Sequence, residues 1–120
     1  MAERAAVLTP DPNGRQSLQV ISWTGLTNGD TGEAVRVSHW QDRSIQAIGT
    51  FDTSTLTIQG SNDGGTTWAT LRDPSSTALT FAAAGLKQVL EIVDLIRPSS
   101  SGGAGTDIDV FLMMRSDRVK

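Results

Sequence analysis

The segment Thr55-Leu56-Thr57-Ile58-Gln59-Gly60-Ser61-Asn62-Asp63-Gly64-Gly65-Thr66-Thr67-Trp68-Ala69-Thr70-Leu71 decides how this chain folds. Thr55 to Gln59 alternates polar and apolar residues, the period of a half-buried strand. The carboxylate of Asp63 can accept hydrogen bonds from backbone N–H groups a few residues on, closing an Asx-type turn. Gly64 and Gly65 supply the positive φ values that a tight hairpin demands. Trp68 opens the return strand and offers a large apolar ring, which reads as a core residue. The expectation is a β-hairpin across 56–71.

Outward from the hairpin the same signals repeat. Residues 16–24 alternate through Leu18 and Val20 to Trp23 after a break of phase. The turn signal at 27–32 leads to 34–40, with Val35 and Val37 on one side, and then to 44–51, where Gly49 reads as a bulge. Beyond the hairpin, 73–76 is a turn and 77–81 a strand. Residues 86–96 carry Leu86, Val89, Leu90, Val93 and Ile96 at helical spacing. Their β-branched content and the stop at Pro98 favour two extended pieces meeting near Asp94. Residues 99–105 read as a flexible Ser/Gly loop. The last strand, 106–115, puts Ile108, Val110, Leu112 and Met114 on one face. Phe111 and Met113 share the other with Asp107, Asp109 and Arg115, so that second face is covered or meets another subunit.

These signals predict an all-β chain: a single antiparallel β-sandwich, jelly-roll-like, of about 7–8 short strands. The sandwich occupies 16–120. Residues 1–15, with Pro10 and Pro12, read as an extended N-terminal arm.

Bulk composition narrows the function. The 120 residues suit one domain with one core. Cysteine is absent, which removes disulfides, thiolate zinc sites and cysteine nucleophiles, and fits assembly in a reducing cytoplasm. The N-terminus lacks an apolar run long enough for a signal peptide, and no stretch reaches the length of a membrane span. With 10 basic and 13 acidic residues the net charge is −3, which argues against nucleic acid as a partner. Arg115, Arg118 and Lys120 read as a solvated tail.

No catalytic, cofactor-binding or metal-ligating residue is assigned. His39 is the only histidine and lacks a nucleophile elbow in support, so it reads as structural. Asn28-Gly29-Asp30 and Asn62-Asp63-Gly64 are oxygen-rich but do not continue into a calcium loop, and read as turns. Gly103-Ala104-Gly105 lacks the third glycine of a dinucleotide fingerprint. Asp107 and Asp109 share a strand face, yet carboxylates at a strand entrance are read as solvent-facing rather than as a glycosidase pair.

Two resemblances add to this reading. Ser61-x-Asp63-x-Gly65-x-Thr67-Trp68 resembles the Asp-box hairpin of sialidases and other β-propellers, where the box is a structural staple. A propeller blade needs about 40–45 residues, so one box cannot build a propeller and the likeness ends at the hairpin. More broadly, this hairpin, Ile96-Arg97-Pro98, the Ser/Gly loop and the alternating strand ending at Arg115 resemble the small β-sandwich capsid decoration, or cement, proteins of tailed bacteriophages. That resemblance implies a non-enzymatic virion structural protein, commonly a homotrimer, bound to the major capsid protein on the outer capsid surface. The alternative is a carbohydrate-binding or receptor-binding module of a phage tail or fibre, with Trp23 and Trp40 as the candidate rings.

Overall fold

The alternation along the last segment produces a strand buried on one face only. In the computed structural model, which describes residues 3–10, 18–38 and 40–115, Ile108, Val110, Leu112 and Met114 are fully buried. Among the described residues none is helical. In chain order the strands are β1 (Glu3–Arg4), β2 (Val7–Pro10), β3 (Leu18–Leu26), β4 (Thr31–Gly32), β5 (Val35–Arg36), β6 (Arg43–Thr50), β7 (Thr55–Ser61), β8 (Ala69–Thr70), β9 (Thr80–Phe81), β10 (Gly85–Gln88), β11 (Leu95–Ser101) and β12 (Asp107–Arg115). Seven have four residues or more, in line with the expected number, and the other five are two-residue pieces.

They form two sheets. The smaller runs β10-β6-β12-β3-β2. The larger runs β1-β4-β11-β7-β8, with β5 also on β11 and β9 also on β7. Trp23, Ile45, Leu56, Ile58, Ile96 and Leu112 are among the side chains, all 0% exposed, that fill the space between them. The chain is therefore a β-sandwich. The hairpin is present, with Gln59 opposite Thr70 and Gly60 opposite Ala69. Residues 86–96 are two extended pieces as expected, the second beginning at Leu95.

Four expectations are corrected. The bulge lies on β3 and not at Gly49: the register slips so that Leu26 faces Ile108 while Trp23 faces Val110. Gly25 takes φ 71 there and its N–H donates to Asp109 Oδ1 at 3.0 Å. The slip follows Trp23; the break of phase before Trp23 arises because Val20, opposite Met113, lies on the outer face while Ile21 and Trp23 point inward. Gly49 pairs in register with Ile108, and its φ of 117 meets a backbone approach to Asp107 that leaves no room for a Cβ.

Ser99, Ser100 and Ser101 belong to β11, where they pair with Thr57, Leu56 and Thr55, so the loop is shorter than expected. Pro98 sits within that strand. On its other side β5 pairs at Leu95 and Ile96 and β4 at Ser99, so the ladder is interrupted where the proline lacks a donor.

The N-terminal segment is extended but is not an arm apart from the sandwich over 3–10. β1 pairs with β4 in the larger sheet and β2 with β3 in the smaller, so these residues pass from one sheet edge to the other. Arg4 Nε donates to Asp30 at 2.9 Å, and the Ala6 N–H to Glu33 Oε1 at 3.0 Å. Residues 1–2 and 11–15 of the expected arm lie outside the described residues.

Trp68, expected in the core, is half-buried, with the Arg97 guanidinium 4.2 Å from its ring centroid. The ring supports a cation instead of filling the interior.

Burial then ranks substitutions. Leu112→Ala should cost about 2–5 kcal/mol, because it opens a cavity between the sheets. Ile92→Ala, at a residue 82% exposed, should stay within about 0.5 kcal/mol of the wild type. Urea unfolding midpoints check both, and equal midpoints for the two variants would overturn the assignment of the core.

Candidate functional site

Three surfaces come into question, and the hairpin bounds the first. Asp63 Oδ1 accepts from Ser61 Oγ at 2.7 Å, from the Thr66 N–H at 3.1 Å and from the Thr67 N–H at 2.9 Å. The Thr67 backbone bond, with the Ser61 hydroxyl next, holds the Asp63 carboxyl down at about 2. Asn62 Oδ1 accepts the Asp94 N–H at 2.8 Å, which ties the turn to the approach to β11. The groove beside it, of about 580 Å³, is lined by Gly60, Ser61, Asp63, Arg72 and Glu91. Its charges are already spent, since Arg72 Nε lies 2.5 Å from Glu91 Oε2. This is a braced turn.

The second surface is the outer face of the smaller sheet. Register places Leu86, Gln46, Phe111, Ser22 and Val7 in one row across all five strands. A neighbouring row holds Gln88, Ser44, Met113 and Val20. Leu86 is 67% exposed and Val7 55%. The outer face of the larger sheet is different in kind: Thr55, Thr57 and Gln59 lie beside Ser101, Ser99 and Arg97. One outer face thus mixes apolar side chains with uncharged polar ones and carries charge toward the ends of β12, and the other is polar.

The third is a cleft of about 470 Å³ at one end of the sandwich. Its walls include Ser38, Trp40, Gln41 and Arg43 from the approach to β6, and Gln88, Leu90 and Ile92 from the connection after β10. Backbone bonds fix both walls: Trp40 N–H to Val37 O at 3.0 Å, Gln41 N–H to Arg115 O at 2.8 Å, Val89 N–H to Arg43 O at 3.0 Å and Leu90 N–H to Arg72 O at 2.8 Å. Arg43 opens β6 in the phase of Ile45 and Ala47, so its side chain enters between the sheets and is only 5% exposed. Burial pushes its guanidinium below its ordinary pKa.

The residues weighed from sequence do not converge. Asp30, buried just after its turn, accepts from the Thr27 N–H and hydroxyl, both at 2.9 Å, and from Arg4. Asp109 braces the bulge and Asp107 is exposed. Trp23 is fully buried, with Nε1 donating to Glu33 O at 3.0 Å, so it is no ligand-facing ring. Trp40 packs partly on the core and lines the cleft. His39, Arg118 and Lys120 lie outside the described residues. Among the described residues no three acidic or histidine side chains gather to hold a metal ion. Sequence reasoning missed Arg43, although its phase with Ile45 and Ala47 was a readable signal that it points inward.

No protein-family model and no curated protein matches the chain. Among solved structures it superimposes on the SPBc2 prophage-derived protein YomS with a TM-score of 0.64, over 82% of this chain and 95% of YomS, at 14% identity. An RmlC-like cupin protein from Desulfovibrio desulfuricans gives a TM-score of 0.54, over 94% of this chain and 82% of that one, at 9% identity. The likeness is one of fold, and it agrees with a sandwich of jelly-roll type.

The braced turn has a pH signature. The Asp63 carboxyl sits at about 2 when folded, against 3.8 for the free group. Its contribution to stability is therefore complete above the unfolded value and is lost as pH falls through the folded one. Asp63→Ala should lower the urea midpoint at about pH 6, and the gap to the wild type should close toward about pH 2. A gap that is absent at about pH 6, or that does not narrow on acidification, would remove the turn-bracing role of Asp63.

Proposed function

We propose that this chain is a non-enzymatic structural protein of a phage particle, a decoration protein that binds the outer surface of the capsid and stabilises it. The observation that carries the reading is the difference between the two outer faces. Val7, Val20, Ile48, Leu86, Phe111 and Met113 put apolar side chains on the smaller sheet from all five of its strands. A surface of this kind on a soluble domain marks a contact site. Its few charges lie at the ends of β12, as a polar rim would. The sandwich shared with a prophage-derived protein supports the same reading.

Attachment through such a face needs only modest contacts, because symmetry repeats them over the shell and avidity multiplies them. The major capsid protein is the partner, and the virion surface is where the chain works after assembly in the host cytoplasm. The oligomer that the sequence resemblance implies is a homotrimer. Residues 3–10, being woven into both sheets, serve the fold first.

Co-sedimentation with capsids lacking this protein, followed by heating, tests the proposal. The wild type should bind and raise the temperature at which the shell breaks. Met113→Lys should fold normally and fail to bind, whereas Ser101→Lys, on the polar face, should bind as the wild type does. Wild-type protein that neither binds nor protects the shell would overturn the decoration role. Equal binding by both variants would overturn the choice of face.

A further inference from the structure

The described arginines find partners in a regular way, with one exception. Arg4 pairs with Asp30, Arg36 with Asp94, Arg72 with Glu91 and Arg115 with Asp42. Arg97 lies over the Trp68 ring and donates to Gln59 Oε1 at 2.9 Å. Arg43 is the most buried of them, and no acidic side chain among the described residues meets it. Its Nε donates to Gln41 O at 3.1 Å, and its buried Nη1 has no hydrogen-bond partner. The nearest acid in sequence, Asp42, is committed to Arg115 at 2.6 Å.

A guanidinium taken out of water without a counter-charge is costly, and removing the desolvation penalty calls for an anion. The cleft walled by Ser38 and Trp40 to Arg43 on one side and by Gln88 to Leu90 and Ile92 on the other lies open beside it. The geometry points to this cleft as a binding site for a small carboxylate, held end-on by Arg43. With Nε already satisfied, the two terminal nitrogens are the donors left, and their fork matches the two oxygens of a carboxylate. One cation with Asp42 nearby suits a singly charged group better than a phosphate dianion. Ser38, Gln41 and Gln88 offer hydroxyl and amide groups in the same walls, and Trp40 offers a ring. That set fits a polyhydroxylated acid, a uronate above all, and a free organic acid shares the anchoring chemistry. The site is on the end of the sandwich and adjoins the face proposed for capsid contact at Gln88.

The test is an amide NMR titration of the whole chain with glucuronate, acetate and glucose, paired with calorimetry. Glucuronate should bind in roughly the millimolar range and shift amides of 38–43 and 88–92. Acetate at equal strength would assign the site to free carboxylates, and weaker acetate would assign it to sugar acids. Glucose should not bind. Arg43→Met keeps the bulk and removes the charge, and should weaken glucuronate at least about tenfold. Arg43→Lys, which keeps the charge without the fork, should fall between, and it serves as the folded control if the methionine variant does not fold. Absence of shifts in this cleft with either carboxylate, glucose binding equal to glucuronate, or undiminished binding by the folded variants would overturn the proposal.

Discussion

The structure depends on β12 being buried on one face and only one. Ile108, Val110, Leu112 and Met114 all reach 0% exposure, and their strand is hydrogen-bonded to β6 on one side and β3 on the other. A strand so placed cannot slip by one residue without turning four large apolar groups to the outside. It therefore fixes the register of the smaller sheet, and through the core it fixes the spacing of the larger one. Leu56, Ile58 and Ile96 supply the opposing layer. The edges follow from this frame: β1 and β2 join both sheets, and Arg4 with Asp30 holds the crossing in place.

The same period of two that builds the core also decides what the surface offers. The residues between the core positions of β6 and β12 include Ile48, Phe111 and Met113, while those between the core positions of β7 and β11 include Thr57, Gln59 and Ser99. Both sheets are equally buried within, so stability alone gives no reason for the outer faces to differ. Exposure of apolar groups on one face carries a solubility cost that the proposed contact surface would explain. Arg43 is the counterpart at the end of the sandwich: an inward position of β6 filled by a charge, which weakens the core unless an anion answers it.

Elements governed by local chemistry were legible in the sequence. The hairpin was readable because Asp63, Gly64 and Gly65 carry their own turn instructions. β12 was readable because its alternation runs unbroken from Asp107 to Arg115. Features set by distant partners were not. The pairing of β1 with β4 depends on a segment far along the chain, and Pro10 and Pro12 read as barring a ladder between β2 and the next strand, β3, so residues 3–10 looked like an arm. The bulge belongs to the pairing of β3 with β12, and neither strand alone states it. Trp68 follows a tight turn, and its burial depends on where that turn ends relative to the sheet, which placed Arg97 and not the core beneath its reach. Of the candidate surfaces, only the apolar side of β12 was visible in advance.

The central claim is that the smaller sheet meets the capsid. A cryo-electron microscopy reconstruction of shells saturated with the protein tests it most directly. The account predicts density for the sandwich on the outside of the shell, with β10, β6, β12, β3 and β2 turned toward the capsid surface. Density with β7 and β11 against the shell, or shells that stay bare, would contradict it.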